Sequence, residues 1–400
     1  MLYNSGKSPL RRQTVKIEPI TAKPSKEELG ARLEKVREQM EKQKLDYYVS
    51  FSPINVYYLT NFANLVHERP FILVIGKKGP MKMVCPLLES THVKARARCD
   101  LDYVIYYEFP APEGQNWFDV YRPLLKDGDR VGIESAMPAG ILKETRGTTV
   151  ITNIIEDIRV IKSEYEIGRH VHACQVVDEG MKKVLELTRV GVPLITIYSG
   201  IVQAMMAKAL FEVADINLIA SKFQGAVWPP SISHDPHIIP TAFMTMEEGG
   251  PSCSIVGAIV DGYGVEIERT LFLEYVPDHA KKLFDVMMKG RALAYKLAQP
   301  GTVLEEIDKQ VRQVYIDAGY EKNIIHRTGH GFGITGHEDP FLALGDKRKL
   351  APGMIVSIEP GIYFQGKGGY RHSDTVLITE NGNLKLTHAP DQLDELLFKK

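Results

Sequence analysis

The sequence predicts an α/β domain followed by an α+β domain, and three observations carry that expectation. At 400 residues the chain exceeds the usual size of a single hydrophobic core. Its first part alternates short runs rich in β-branched and aromatic residues with Gly, Pro and charged residues. Two Ser-x-x-Glu capping boxes, beginning at Ser25 and Ser163, each open a helical pattern where a folded unit should start.

The elements follow in chain order. Residues 1–24 are polar, carry Arg11, Arg12 and Lys16, lack the apolar stretch of a secretory signal, and are expected to form an N-terminal extension. After Ser25, the residues Leu29, Leu33, Val36 and Met40 recur on one face of a helix. The runs 47–51, 71–75, 81–84, 103–107 and 131–134 read as strands, which assigns 25–160 to the α/β domain. Beyond Ser163, Val171, Val177, Met181, Val184 and Leu187 give a long helix that stops before Gly191 and Pro193 and opens the second domain, 161–400. A helix over about 193–213, a region through Trp228 and Pro240, strands at 254–260 and 264–273, and helices at 280–297 and 303–318 come next. Asp261-Gly262 is the dipeptide of a tight hairpin turn between those two strands. Short strands then carry His330, Glu359 and Ser373.

Charge and cysteine usage narrow the function. The 49 basic and 50 acidic side chains nearly cancel without long like-charged blocks, so nucleic acid and anionic membrane are not expected partners, and a small-molecule substrate fits better. No run is expected to span a membrane. Cys85, Cys99, Cys174 and Cys253 are scattered without metal-ligand or redox spacing, which suits a cytoplasmic protein without disulfides.

Three motifs near the C-terminal end carry chemistry: Gly329-His330-Gly331-Phe332-Gly333, Ile358-Glu359-Pro360-Gly361, and Gly369-Tyr370-Arg371-His372-Ser373-Asp374-Thr375. Their order and spacing resemble the creatinase, prolidase and aminopeptidase-P superfamily over residues 25–395. The resemblance implies a small α/β N-terminal domain, a C-terminal domain of the α+β pita-bread fold, and a homodimer. In metal-dependent members it implies five ligands, whose positions fall here on Ile255, Glu266, His330, Glu359 and Ser373. Ile255 donates nothing and Ser373 offers a neutral hydroxyl, whereas a close pair of hard cations needs carboxylates to bind and to balance charge.

The sequence therefore points to a site with no cofactor, of the kind the resemblance implies for creatinase and ectoine hydrolase, and to hydrolysis of an amidine or amide C–N bond in a small carboxylated metabolite. Glu268, in Glu268-Arg269-Thr270, is similar to the creatinase Glu that contacts the substrate guanidinium, and metal-dependent relatives commonly carry a neutral residue there. Arg69-Pro70-Phe71 is similar to the segment whose Arg binds the substrate carboxylate across the dimer interface. The loop 233–237 places His234 and His237 where the superfamily has a catalytic His, and Pro240 favours His237 through the His-x-x-Pro form.

Water attack on such a carbon needs a base and then an acid, and a histidine titrating near neutrality can serve as both. Glu268 and Glu359 would hold the cationic group, with His330 in the same pocket because its flanking glycines let the backbone approach closely. A Glu acting as nucleophile is the alternative route. Arg69, His234, His337 and Tyr363 are the expected substrate contacts; His337 and Tyr363 match the prolidase version of the pattern. Two rivals stand beside this reading. One is an Xaa-Pro dipeptidase or aminopeptidase with a single divalent ion such as Zn, Mn or Co at Glu266, His330 and Glu359, a three-ligand site with an open position. The other is a non-catalytic binding protein on the same scaffold.

Overall fold

A computed structural model describes residues 17–399; Arg11, Arg12, Lys16 and most of the expected N-terminal extension lie outside the described residues. The chain is already held before Ser25. The amide of Ile20 donates to the Gly168 carbonyl at 2.9 Å, Arg169 donates to the Thr21 carbonyl at 2.7 Å, and Lys23 reaches the Asp261 carboxylate at 2.6 Å.

The helix Lys26–Lys42 begins as expected, with the Ser25 hydroxyl accepting from the Glu28 amide and Leu29, Val36 and Met40 buried. Strands β1 (Tyr47–Ser50), β2 (Ile72–Gly76), β3 (Met81–Pro86), β4 (Leu101–Tyr106), β5 (Arg130–Ile133) and β6 (Thr148–Ile151) form one mixed sheet in the order β4-β3-β2-β1-β5-β6. Strand β6 is absent from the sequence reading for a physical reason: it is a mostly exposed edge strand, so no alternation of buried and exposed residues marks it.

The second domain opens on the helix Glu164–Leu187, whose Ser163 and Glu166 exchange the reciprocal bonds of a capping box. Helix Leu194–Glu212 follows; by length and composition alone, with mean hydropathy 1.5, it is long and apolar enough to cross a membrane. Here Leu194, Ile197, Ile201, Met205 and Ala209 turn into the core shared with the preceding helix. The remaining strands are β7 (Lys222–Trp228), β8 (Gly249–Val260), β9 (Tyr263–Leu273), β10 (Gly329–Gly331), β11 (Glu338–Leu342), β12 (Ile355–Ile358), β13 (Gly361–Phe364), β14 (Gly368–Arg371), β15 (Ser373–Thr379), β16 (Gly382–Lys385) and β17 (Leu397–Phe398). Nine of them form one sheet, with the path β11-β10-β12-β15-β9-β8-β7 and with β16 on β15 and β17 on β9; β13 and β14 make a separate hairpin. Helices Asp278–Leu297 and Leu304–Asp317 bury Leu283, Phe284, Met287, Leu304, Ile307 and Val311 in the core that also holds Val256 and Ile267 of the sheet.

The β8–β9 hairpin is the pivot of the molecule. Asp261 and Gly262 both take left-handed backbone angles, φ 48° and 91°, as a two-residue turn of this kind requires. The Asp261 carboxylate accepts from Lys23, Arg169 and the Asn217 amide, and its carbonyl accepts from Tyr57 of the first domain at 2.8 Å. A Cβ at Gly262 would lie 2.1 Å from the Tyr57 ring. Gly262→Ala is accordingly predicted to lower stability by about 1–3 kcal/mol. A urea melt checks this, and an unshifted midpoint would show that the turn tolerates a side chain.

Candidate active site

Register decides which side chains meet. On β8 and β9 Ile255 pairs with Glu268 and Gly257 with Glu266, while on β9 and β15 Glu268 pairs with Ser373. Residues directly opposite one another, and residues two apart along a strand, project from the same face. Ile255, Glu268 and Ser373 therefore form one row with Glu268 in the middle, and Glu266 lies in the next row. Strand β12 delivers Glu359 at its end and β10 delivers His330.

The Gly-His-Gly segment works as its glycines suggest. A Cβ on Gly329 would lie 2.1 Å from the Ser357 carbonyl oxygen, and one on Gly331 would lie 2.3 Å from that of Asp339. Only bare backbone fits between the neighbouring strands. The His330 amide donates to Ser357 Oγ at 2.9 Å, and its Nδ1 lies 3.2 Å from the Gly331 carbonyl. With the Nδ1 proton assigned to that carbonyl, Nε2 is the ring nitrogen turned toward the carboxylates. It sits 3.2 Å from Glu359 Oε1 and 3.5 Å from Glu266 Oε1, aligned with neither as a hydrogen bond, and it is fully buried.

These groups open into a cavity of about 1360 Å³ whose walls include Glu266, Glu268, Glu359, Arg371, His237 and His337. Arg371 donates from Nη2 to Glu268 Oε1 at 2.7 Å, and its Nε comes within 2.5 Å of Oε2 without hydrogen-bond alignment. Burial strains this set of charges. It pushes Glu359 up to about 7, with the Glu266 charge adding to the effect, and it pushes Glu268 upward against the pull of Arg371. Burial alone would lower His330, but Glu359 and Glu266 outweigh it and hold the imidazole at about 9. Burial and the neighbouring His330 depress His337, stacked on it at 3.7 Å, to about 4.

Such a nitrogen and carboxylate cluster fits a divalent cation. One ligand atom from each of Glu266, His330 and His337 lies within 4.8 Å of the others, and the same holds for Glu266, Glu268 and Glu359. A mixed imidazole and carboxylate donor set suits Zn, Mn or Co. Residues 168–380 match the model of metallopeptidase family M24. The chain belongs to that family. Residues 32–161 match the creatinase/prolidase N-terminal domain.

The chain is 27% identical over 372 residues to an Xaa-Pro dipeptidase of Pyrococcus horikoshii, covering 91% of this chain and 99% of that one. It is 27% identical over 368 residues to an Xaa-Pro dipeptidase of Pyrococcus furiosus, covering 90% and 99%. The crystal structure of the prolidase from Pyrococcus horikoshii OT3 superposes with a TM-score of 0.77 at 25% identity, covering 91% of this chain and 99% of that one. The two-domain architecture with a pita-bread C-terminal domain is thus that of the prolidases.

Membership in M24 corrects two expectations. The metal-independent amidine or amide hydrolase is overturned by the Xaa-Pro dipeptidase relatives, and the absence of a cofactor is overturned by the metallopeptidase family together with the donor cluster. The physical reason is that loss of ligands at positions 255 and 373 leaves His330, Glu266 and Glu359 assembled.

The other expected site residues of this M24 chain divide into those in the cavity and those outside it. His237, exposed to solvent, and His337 line it, whereas half-buried His234 lies outside the lining with its Nδ1 unpartnered. Tyr363 is not among the lining residues; it accepts from Arg371 Nη1 at 3.0 Å and bonds His326 Nε2 at 2.9 Å behind the wall. Arg69 lies outside its own chain's cavity, 3.4 Å from Glu68 and from Glu108. Arg269 bonds the backbone carbonyls of Glu268 and Ser373 and leaves the Glu268 side chain to Arg371. Arg371, His326 and Arg327 line the cavity without having been assigned roles from sequence. For Arg371 the available signal was a charge inside the otherwise strand-like Gly-Gly-Tyr-Arg run.

Proposed function

We propose that this chain is a metal-dependent peptidase that hydrolyses Xaa-Pro dipeptides, with a divalent cation held by Glu266, His330 and Glu359. The observation that carries the reading is the convergence of two carboxylates on one buried imidazole nitrogen, His330 Nε2, at 3.2 Å and 3.5 Å. These are the donors a divalent cation takes once it displaces the imidazole proton. Bound there, a divalent cation supplies Lewis-acid polarisation and a more acidic water.

The chain's own residues would do the rest. Glu359, poised at about 7, accepts the proton of the attacking water at its carboxylate. His237, on the cavity wall and open to solvent, hands a proton to the leaving nitrogen. Arg327 has no carboxylate partner among the described ion pairs; its guanidinium lies 4.5 Å over the Phe341 ring and its Nη2 is 3.4 Å from His337 Nδ1. Since His337 stacks on His330, Arg327 stands one imidazole away from the donor cluster, on the cavity wall where it would meet a dipeptide's C-terminal carboxylate. A homodimer in the cytosol belongs to the same proposal, supported by an Arg69 that lies outside its own cavity and by four unpaired cysteines.

Two experiments test the reading. Xaa-Pro dipeptides should be cleaved with Mn, Co or Zn present, and chelator should stop the reaction until metal is returned. Turnover indifferent to chelator, or none with any of the three ions, would contradict it. Arg327→Met should raise KM for dipeptides about 10- to 100-fold, the loss of a charge-assisted bond. The corresponding C-terminal amides should be affected little, and an equal effect on acids and amides would remove the carboxylate role.

A further inference from the structure

The ligand pattern that the superfamily resemblance implies places carboxylates at 255 and 373, on either side of position 268. Here both flanks are neutral and the centre is acidic. The cross-strand pairs Ile255 with Glu268 and Glu268 with Ser373 make this a single row of three residues on one face, so a carboxylate at 268 stands one strand spacing from each lost one. We propose, building on the metal-dependent reading above, that Glu268 replaces the two missing ligands and that the cavity is built for one divalent cation, held by Glu266, Glu268, His330 and Glu359.

Geometry and charge agree on this. Ligand oxygens of Glu266, Glu268 and Glu359 lie within 4.8 Å of one another, and donors about 2 Å from a common ion lie no more than about 4 Å apart, so small side-chain movements close the set. Arg371 donates to Oε1 of Glu268 at 2.7 Å and stands 2.5 Å from Oε2, so it pins this carboxylate beside Glu266 and Glu359. With His330 neutral, as a metal ligand must be, three ionised carboxylates against the Arg371 guanidinium leave two negative charges, which one divalent cation neutralises and two would over-compensate. The hydroxyl of Ser373 donates to Glu266 Oε1 at 3.1 Å, so the position that should bridge a second ion instead steadies a ligand of the first.

The test counts ions directly. Protein loaded with Mn²⁺ or Co²⁺ and freed of excess is assayed for metal per chain by mass spectrometry, and Mn²⁺ affinity is measured by calorimetry. Wild type should hold one ion. Glu268→Gln, which keeps an oxygen for Arg371, should weaken Mn²⁺ binding at least tenfold and change the visible spectrum of the Co²⁺ form. Ile255→Asp combined with Ser373→Glu should raise the count to two. Two ions in wild type, or Glu268→Gln binding Mn²⁺ as tightly as wild type, would overturn the assignment. Wild type that takes up no ion would remove the peptidase reading beneath it as well, so the two failures are distinct.

Discussion

Replacing His330 with alanine is expected to reduce dipeptide hydrolysis by about a thousandfold or more, equivalent to about 4 kcal/mol of lost transition-state stabilisation. Its Nε2 lies 3.5 Å from Glu266 and 3.2 Å from Glu359, and without it the cation is left to carboxylates that burial already strains. Assay at saturating Mn²⁺ checks this, and a variant that keeps most of its kcat would show that catalysis does not run through the cluster. The same imidazole has a second signature in the metal-free protein. Its pKa is raised from the ordinary histidine range to about 9, so its pairing with the carboxylates stabilises the fold fully below the ordinary value and is lost as pH rises through about 9. Chelated wild type should therefore lose stability between about pH 6.5 and 9 in a way that His330→Ala does not.

Asp374→Ala is expected to cost about 3–5 kcal/mol of stability, the typical penalty for leaving buried cations uncompensated. Asp374 is fully buried and accepts from Arg269 at 3.0 Å, from Arg291, from Thr387 at 2.9 Å and from Tyr295 at 3.3 Å. Those bonds also support the site, because the same Arg269 donates to the carbonyls of Glu268 and Ser373. Burial alone would raise Asp374, but Arg269 and Arg291 hold it below the usual carboxylate range. A depressed carboxyl contributes stability that is present above its unfolded value and lost as pH falls, so wild type should lose this contribution below about pH 4. Chemical melts across pH read both effects, and a variant as stable as wild type at pH 7 would show that the two arginines find other partners.

What could be read from the sequence was what local chemistry dictates. Ser25 and Ser163 announced their helices through capping, Asp261-Gly262 announced its hairpin through left-handed backbone, and Gly329-His330-Gly331 announced a close approach that the strands on either side confirm. What could not be read depends on register. Glu268 was visible as an unusual acid, but its partner Arg371 lies 103 positions away and meets it only because β14 leads into β15 beside β9. Tyr363 carried a family position, yet the structure turns its hydroxyl to Arg371 and His326 behind the wall. Taking Ile255 and Ser373 one at a time suggested a dismantled metal site. The sheet shows instead that the remaining donors, and one new carboxylate between the two vacated positions, still converge.

That convergence is tested most directly by diffraction from crystals grown with Mn²⁺, collected on both sides of the manganese absorption edge. One anomalous peak per chain, bounded by Glu266, Glu268, His330 and Glu359, is the predicted result. No peak among those four side chains, or two peaks within the cavity, would contradict it.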